Sequence, residues 1–247
     1  MSTLFISDLH LDRNRPEIID YFVDALTNLE KNISSIYILG DLVEYWVGDD
    51  DPGKGLEKAF NAIQKKSTTT RIYFMHGNRD FLISDKFCKK YGMELIDDPT
   101  VIELSGKKIL LMHGDTLCTD DIKYQNYRKL VRSKEWQVEM LKKTLEERLS
   151  IAEELRKKSQ EEIKNKEDDI MDVNNHAVEE IIKQYQVDIL IHGHTHRPNI
   201  HELEINNKNV KRLVLGDWYK SAYLLKYENE KIIIDKKSLI NQKVHNS

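Results

Sequence analysis

The sequence predicts an α/β protein with a helical segment inserted into it, and three patterns predict this. Short apolar runs rich in β-branched residues recur from Thr3 to Ile6, Ile36 to Leu39, Arg71 to Met75, Lys108 to Met112 and Val187 to Ile191, with amphipathic helical stretches between the early ones. After Pro198 the hydropathy switches to alternation, as in antiparallel strands buried on one face. Between Asp121 and Asp172 no strand signal occurs, and long charged helical stretches take its place.

The five early runs are short and continuously apolar, which suits strands buried on both faces. The first starts almost at once, with no basic segment before it and Asp8 closing it, so no signal peptide is read there. The alternating part reads His201 to Ile205 and Lys211 to Leu215 around Asn206-Asn207. It continues as Ala222 to Tyr227 and Lys231 to Asp235 around Glu228-Asn229-Glu230, and an antiparallel meander is expected. In the inserted piece Trp136, Met140, Leu141, Leu145, Leu149, Ala152 and Leu155 fall at three- and four-residue spacing among Lys and Glu, a stripe that must be buried against something. The expected organisation is a body of residues 1–120 and 173–247 with a helical cap of residues 121–172.

At 247 residues the chain is long enough for a substantial core. Its 38 Lys and Arg against 42 Asp and Glu leave a net charge of −4, so no global basic field holds nucleic acid by counterion release. Two cysteines, Cys88 and Cys118, make no disulfide framework and point to a reducing compartment. No apolar run is long enough to span a membrane, which leaves attachment to a membrane surface open. Nothing in the sequence calls for an obligate protein partner.

Each early run ends in a dense polar cluster: Asp8-Leu9-His10, Gly40 to Glu44, Gly77-Asn78-Arg79-Asp80, His113-Gly114-Asp115 and Gly193 to Pro198. Loops outside the carboxyl ends of parallel strands converge on one crevice, so the five clusters are expected to meet. Asp8 and His10, two apart on an extended segment, project to one side, as do His194 and His196. Carboxylates, imidazoles and one amide, with no thiolate, suit Mn²⁺-like ions rather than a Cys-type zinc site. Asp8, His10, Asp41, Asn78, His113, His194 and His196 are too many ligands for one ion and suit two sharing a carboxylate. A pair of ions about 3.5–4 Å apart acidifies water and clamps an in-line phosphoryl displacement, so phosphoester or pyrophosphate hydrolysis is the expected chemistry. Any single Asp after a strand reads equally well as a turn or cap residue. His76, His176, His192, His201 and His245 read as structural.

The ordered set Asp8-x-His10, Gly40-Asp41-x-x-Glu44, Gly77-Asn78-x-Asp80, His113-Gly114 and Gly193-His194-x-His196 is similar to the calcineurin-like metallophosphoesterase superfamily. That resemblance implies an α/β sandwich of two β-sheets flanked by helices. It places Asp8, His10, Asp41 and His196 on one ion and Asp41, Asn78, His113 and His194 on the other. Longer strings, Gly40 to Asp51, Met75 to Phe81, His113 to Asp121, Ile170 to Asn174 and His192 to Pro198, resemble the branch of that superfamily serving lipid A biosynthesis.

The resemblance to that branch implies a pyrophosphatase with two Mn²⁺ ions, peripheral on the cytoplasmic side of the bacterial inner membrane. Its implied substrate is UDP-2,3-diacylglucosamine, opened by metal-activated water at the uridine-side phosphorus to UMP and 2,3-diacylglucosamine 1-phosphate. By the same resemblance Arg79, Asn78, His113 and His194 are catalytic, and Asn78, Arg79, Asp121, Ser159, Lys166 and His194 contact substrate. Tyr124, one turn beyond Asp121, is expected on the same wall. Arg79 stands where many superfamily members place a general-acid histidine; a guanidinium does not donate that proton and is suited to phosphate charge. Ile163 occupies a cap position where the pattern expects a polar residue. Asp80, Asp115 and Glu44 are expected to orient ligands and backbone. The active-site motifs alone also allow a soluble metallophosphoesterase acting on nucleotides or phosphoproteins; a non-catalytic interaction module on the same fold is the rival of a different class, and the full ligand set argues against it.

Overall fold

A computed structural model of the chain describes residues 2–165 and 172–239, with side chains described except at 159–165. Two sheets face each other. The first has six strands in the order β11-β10-β1-β2-β3-β4, with β1 Ser2–Ile6, β2 Ile33–Leu39, β3 Arg71–Met75, β4 Met93–Ile96, β10 Ser221–Glu228 and β11 Lys231–Ser238. The second has five in the order β5-β6-β7-β9-β8, with β5 Thr100–Leu104, β6 Lys107–Leu111, β7 Ile189–His192, β8 Asn199–Ile205 and β9 Lys208–Val214. β1 to β4 run parallel, as do β6, β7 and β9.

Alternation of side chains across each strand explains why the runs are apolar throughout. Phe5, Tyr37, Leu39, Met75, Ile109, Leu111, Ile189 and Ile191 point between the sheets, where they meet Leu213 and Leu225. Their neighbours Leu4, Ile6, Ile36, Ile38, Ile72 and Phe74 point the other way, beneath helices α1 Pro16–Thr27, α2 Glu57–Ser67 and α3 Asp85–Lys90. Leu110 and Leu190 lie on the outer face of the second sheet under α7 Asn175–Tyr185. With both faces covered, there is no alternation to read in these strands.

Two expectations for the sheets need correction. β4 and β5, joined through Asp98-Pro99, are strands that the sequence reading did not anticipate. The C-terminal strands do not form one meander: β8 and β9 pair as a hairpin on the second sheet, while β10 and β11 pair as a hairpin on the first. β9 pairs with β7 and β10 with β1, because each hairpin has an inner edge that completes a different sheet.

Helices α4 Ile122–Val131, α5 Lys134–Leu141 and α6 Leu145–Asn165 follow one another between a 3-10 turn at Asp115–Leu117 and α7. Asp121 and Ser133 cap α4 and α5 by accepting from Tyr124 N and Trp136 N. The expected apolar stripe is broken between α5 and α6. Met140 is buried, and Trp136 packs against the core beneath α1 to α3, but Leu141 is 47% exposed. The break arises because α5 ends at Leu141, and a new helix starts at Leu145 instead of one helix carrying the periodicity through.

Candidate metal centre

The carboxyl ends of β1, β2 and β3 meet those of β6 and β7 at one edge of the sandwich, and five loops converge there from two sheets. Backbone bonds stitch them together: Asp8 N donates to Gly40 O at 3.1 Å, His10 N to Asp41 O at 3.0 Å and Gly193 N to His113 O at 2.8 Å. Asp80, at the end of the β3 loop, accepts from Leu42 N at 2.7 Å and Gly77 N at 2.8 Å, tying that loop to the one after β2. Gly40, at φ +88°, allows this approach, since a Cβ there would fall 2.5 Å from Gly77 Cα and 2.6 Å from His113 Nδ1.

Asp8, His10, Asp41, His194 and His196 all adopt left-handed backbone, with φ from 48° to 68°. The extended geometry expected for Asp8 and His10, and for His194 and His196, is therefore corrected. Each pair reaches one pocket because both of its residues sit in sharp turns. Non-glycine residues tolerate this conformation where the surrounding structure over-determines it, a pattern that clusters at functional sites.

Two groups of side chains place one donor atom each within 4.8 Å of the others: Asp8, His10 and His196, and Asp8, Asp41 and His113. Asp8 belongs to both groups, and Asp41 Oδ2 lies 3.7 Å from His10 Nε2 and 3.9 Å from His113 Nε2. Asn78 Oδ1 is 3.0 Å from His113 Nε2 and 3.0 Å from His194 Nδ1, which brings the remaining two predicted ligands into the cluster. All seven candidate side chains thus gather at one place. His10 and His196 turn their Nε2 atoms on each other at 3.3 Å. Two imidazole nitrogens facing each other beside two buried carboxylates are a donor set that a divalent cation satisfies.

The electrostatics run the same way. Burial acts to raise Asp8, but His196, His113 and His10 outweigh it and hold the carboxyl far below the usual range. Burial acts to lower His113, and Asp41, Asp115 and Asp8 override it, pushing the imidazole up to about 9. His194 is pressed down to about 4 by burial and by the charge of His113. Asp80 is pushed up to about 7 by burial and by Asp41.

Residues around the cluster hold it in place. His113 Nδ1 is 2.9 Å from Leu39 O, which fixes that ring through the backbone. Glu44 Oε2 lies 3.1 Å from His10 Nδ1. Asp115, expected to orient ligands and backbone, accepts from Tyr124 Oη at 2.7 Å and from Arg128 Nε at 2.6 Å, both on α4. The Tyr124 ring stands 5.7 Å from that of His194. Arg79 has its Nε buried with no hydrogen-bond partner among the described residues, a donor left over for an anion. Asp121 is at the start of α4, Ser159 falls within α6 with its side chain undescribed, and Lys166 lies outside the described residues. Of the histidines read as structural, His76 and His192 are buried or nearly so against backbone carbonyls, His176 is exposed, and His245 lies outside the described residues.

The sequence reading missed three contributors. Asp217 Oδ2 is 3.7 Å from His196 Nδ1, Tyr219 stacks on His10, and Arg156 of α6 reaches Glu44. Gly216-Asp217 repeats the strand-then-Gly-Asp pattern of Gly40-Asp41 and was a readable signal for the first two. Arg156 lies in a run of charged residues that resembles any solvated helix face.

The family model for calcineurin-like phosphoesterases matches residues 1–198. A UDP-2,3-diacylglucosamine hydrolase of Aliivibrio fischeri is 46% identical over 244 residues, 96% of this chain and 99% of that protein. Another, from Histophilus somni, is 46% identical over 90% of this chain and 94% of that protein. A solved structure described as a novel archaeal phosphodiesterase superposes with a TM-score of 0.50 at 16% identity, covering 96% of this chain and 99% of that one, and shares its fold. The chain belongs to the calcineurin-like phosphoesterase family, within the group whose members carry the name UDP-2,3-diacylglucosamine hydrolase.

Proposed function

We propose that the protein hydrolyses the pyrophosphate bond of UDP-2,3-diacylglucosamine to UMP and 2,3-diacylglucosamine 1-phosphate, a step of lipid A biosynthesis. The observation that carries the substrate is near-full-length similarity, at 46% identity, to a relative bearing that name. Asp8, His10, Asp41 and His196 would hold one divalent cation, and Asp41, Asn78, His113 and His194 a second, with Mn²⁺ favoured by the oxygen and imidazole donors. Such a pair, when bound, acidifies water and neutralises phosphoryl charge.

The chain's own residues supply binding and orientation. Water adds to the uridine-side phosphorus, the bridging P–O bond breaks, and the sugar 1-phosphate departs with the bridging oxygen. Arg79, whose Nε has no hydrogen-bond partner among the described residues, presents its fork to the phosphoryl oxygens as charge gathers on them. Asn78, His113 and His194 form one connected unit that sets the phosphate position. Asp121, Ser159 and Lys166 would bind the substrate head from the cap side.

Residues 121–172 would form a cap over this site. Arg132 Nη2 donates to Gly77 O at 2.8 Å, and Arg156 reaches Glu44, so contacts from α4 and α6 already fall on the loops of the centre. Ile122 and Leu130 on α4 and Val138 and Leu141 on α5 are exposed beside Lys123, Lys129, Lys134 and Lys142, which supports peripheral attachment to an anionic membrane surface on the cytoplasmic side. No described helix is long and apolar enough to cross a membrane.

The test is mass spectrometry of the products from detergent-dispersed acylated UDP-sugar, beside its deacylated analogue. UMP formed far faster from the acylated compound is the expected result. Equal rates, or no UMP, would overturn the substrate assignment.

A further inference from the structure

Tyr219 touches the metal centre at two points that nothing in the proposed reaction uses. Its ring stacks on His10, with centroids 5.0 Å apart and planes 21° from parallel. Its hydroxyl donates to Glu44 Oε2 at 3.1 Å, the oxygen that also lies 3.1 Å from His10 Nδ1. The other carboxylate oxygen, Oε1, meets Arg156 Nε at 3.0 Å, and Arg156 Nη1 stands 3.6 Å from the buried Asp12. Arg15 lies over the Tyr219 ring at 4.6 Å and donates to the carbonyls of Trp218 and Tyr219, so the tyrosine is itself held.

An imidazole that binds a cation through one nitrogen needs the other oriented, and a carboxylate does this only as well as the carboxylate is fixed. Glu44 Oε2 and His10 Nδ1 approach each other without the alignment of a hydrogen bond, so the orientation depends on what holds each of them. Tyr219 acts on both, one by its ring and one by its hydroxyl. Arg156 braces Glu44 from α6.

We propose that Tyr219 is a positioning residue for divalent-cation binding through His10, acting by stack and hydroxyl together, with Arg156 completing the brace from the inserted helices. The inference rests on the two-cation reading of the site.

Tyr219→Phe keeps the stack and removes the hydroxyl. Chelator-stripped protein titrated with Mn²⁺, followed by the free-ion electron paramagnetic resonance signal, should show about tenfold weaker binding than wild type, the scale of losses from outer partners of metal ligands. Arg156→Gln should weaken binding in the same sense, and Arg156→Lys should recover part of it. Melting temperatures of the stripped proteins separate this from a purely structural role, which would lower Tm and leave Mn²⁺ affinity alone. Wild type that binds Mn²⁺ and a Tyr219→Phe variant that binds it equally would overturn the proposal while leaving the metal reading intact. Wild type that takes up no Mn²⁺ would remove the metal reading, and this proposal with it. Should Tyr219→Phe not fold, an unchanged affinity in Arg156→Gln would overturn the brace.

Discussion

Arg148, on the first turns of α6, donates to both oxygens of Asp50 in the loop after β2, although its own side chain is only 2% exposed. It also donates to Val47 O at 2.6 Å. The guanidinium fits there because Gly48, at φ +137°, presents no Cβ, and one built there would fall against Arg148 Nη1. Arg148→Ala would return a mostly exposed Asp50 to water and leave the Val47 carbonyl without this donor, so no buried charge is stranded. The expected loss is about 2 kcal/mol in urea unfolding. Arg148→Lys should recover little of it, since an ammonium cannot reproduce the fork. Faster proteolytic cutting of the segment around α5 and α6 should accompany both.

Gly40→Ala tests the convergence of the loops directly. The substitution meets a strained φ and a backbone neighbour at Gly77, and neither relaxes by turning a side chain. Conformational strain and overpacking together predict a loss of about 3 kcal/mol. Because the new methyl also presses on His113 Nδ1, divalent-cation uptake by whatever protein folds should fall as well. Thermal unfolding and metal analysis on the same sample check both parts.

The strand cores were legible because β1, β2, β3, β6 and β7 are buried on both faces and leave unbroken apolar runs. The seven candidate ligands were legible because each lies just after such a run. Which sheet each C-terminal hairpin joins was not legible, since alternation marks a strand pair without saying what its free edge meets. The left-handed backbone at Asp8, His10, Asp41, His194 and His196 has no sequence signature, because non-glycine residues adopt it only under tertiary constraint. Tyr219 and Glu44 meet across 175 positions, and no local pattern encodes that contact.

Alkaline stability should report on Tyr37, which lies between the sheets, stacked 4.6 Å from Tyr73 and 5.3 Å from Phe5. Burial, then Tyr73 and Glu94, push its hydroxyl up from 10.0 to about 12. A folded-state value above the unfolded one means the folded form keeps the proton longer. The contribution is whole below pH 10 and is lost as pH rises from there through about 12. Tyr37→Phe keeps the stack and removes the ionisation, so its stability should fall less steeply than that of wild type across this window. Denaturant midpoints measured at steps through it give the comparison, and parallel slopes would show that Tyr37 does not titrate as described.

Asp41 and His113 differ in how many cations each should cost. Asp41 Oδ2 lies 3.7 Å from His10 Nε2 and 3.9 Å from His113 Nε2, so its removal should empty both positions, whereas His113 Nε2 faces Asp41 and Asn78 and should cost one. Asp41 also accepts from Arg79 N at 2.8 Å through Oδ1, so Asp41→Ala should loosen the loop that carries Arg79 as well. Turnover should fall by at least about a hundredfold in both variants, given that even outer partners of metal ligands are worth up to that much. Metal analysis distinguishes them: Asp41→Ala should retain neither cation and His113→Ala one, with circular dichroism confirming that both remain folded. A folded Asp41→Ala protein that keeps a full cation would show that this carboxylate is not shared, and near-wild-type turnover in either variant would remove it from the metal set.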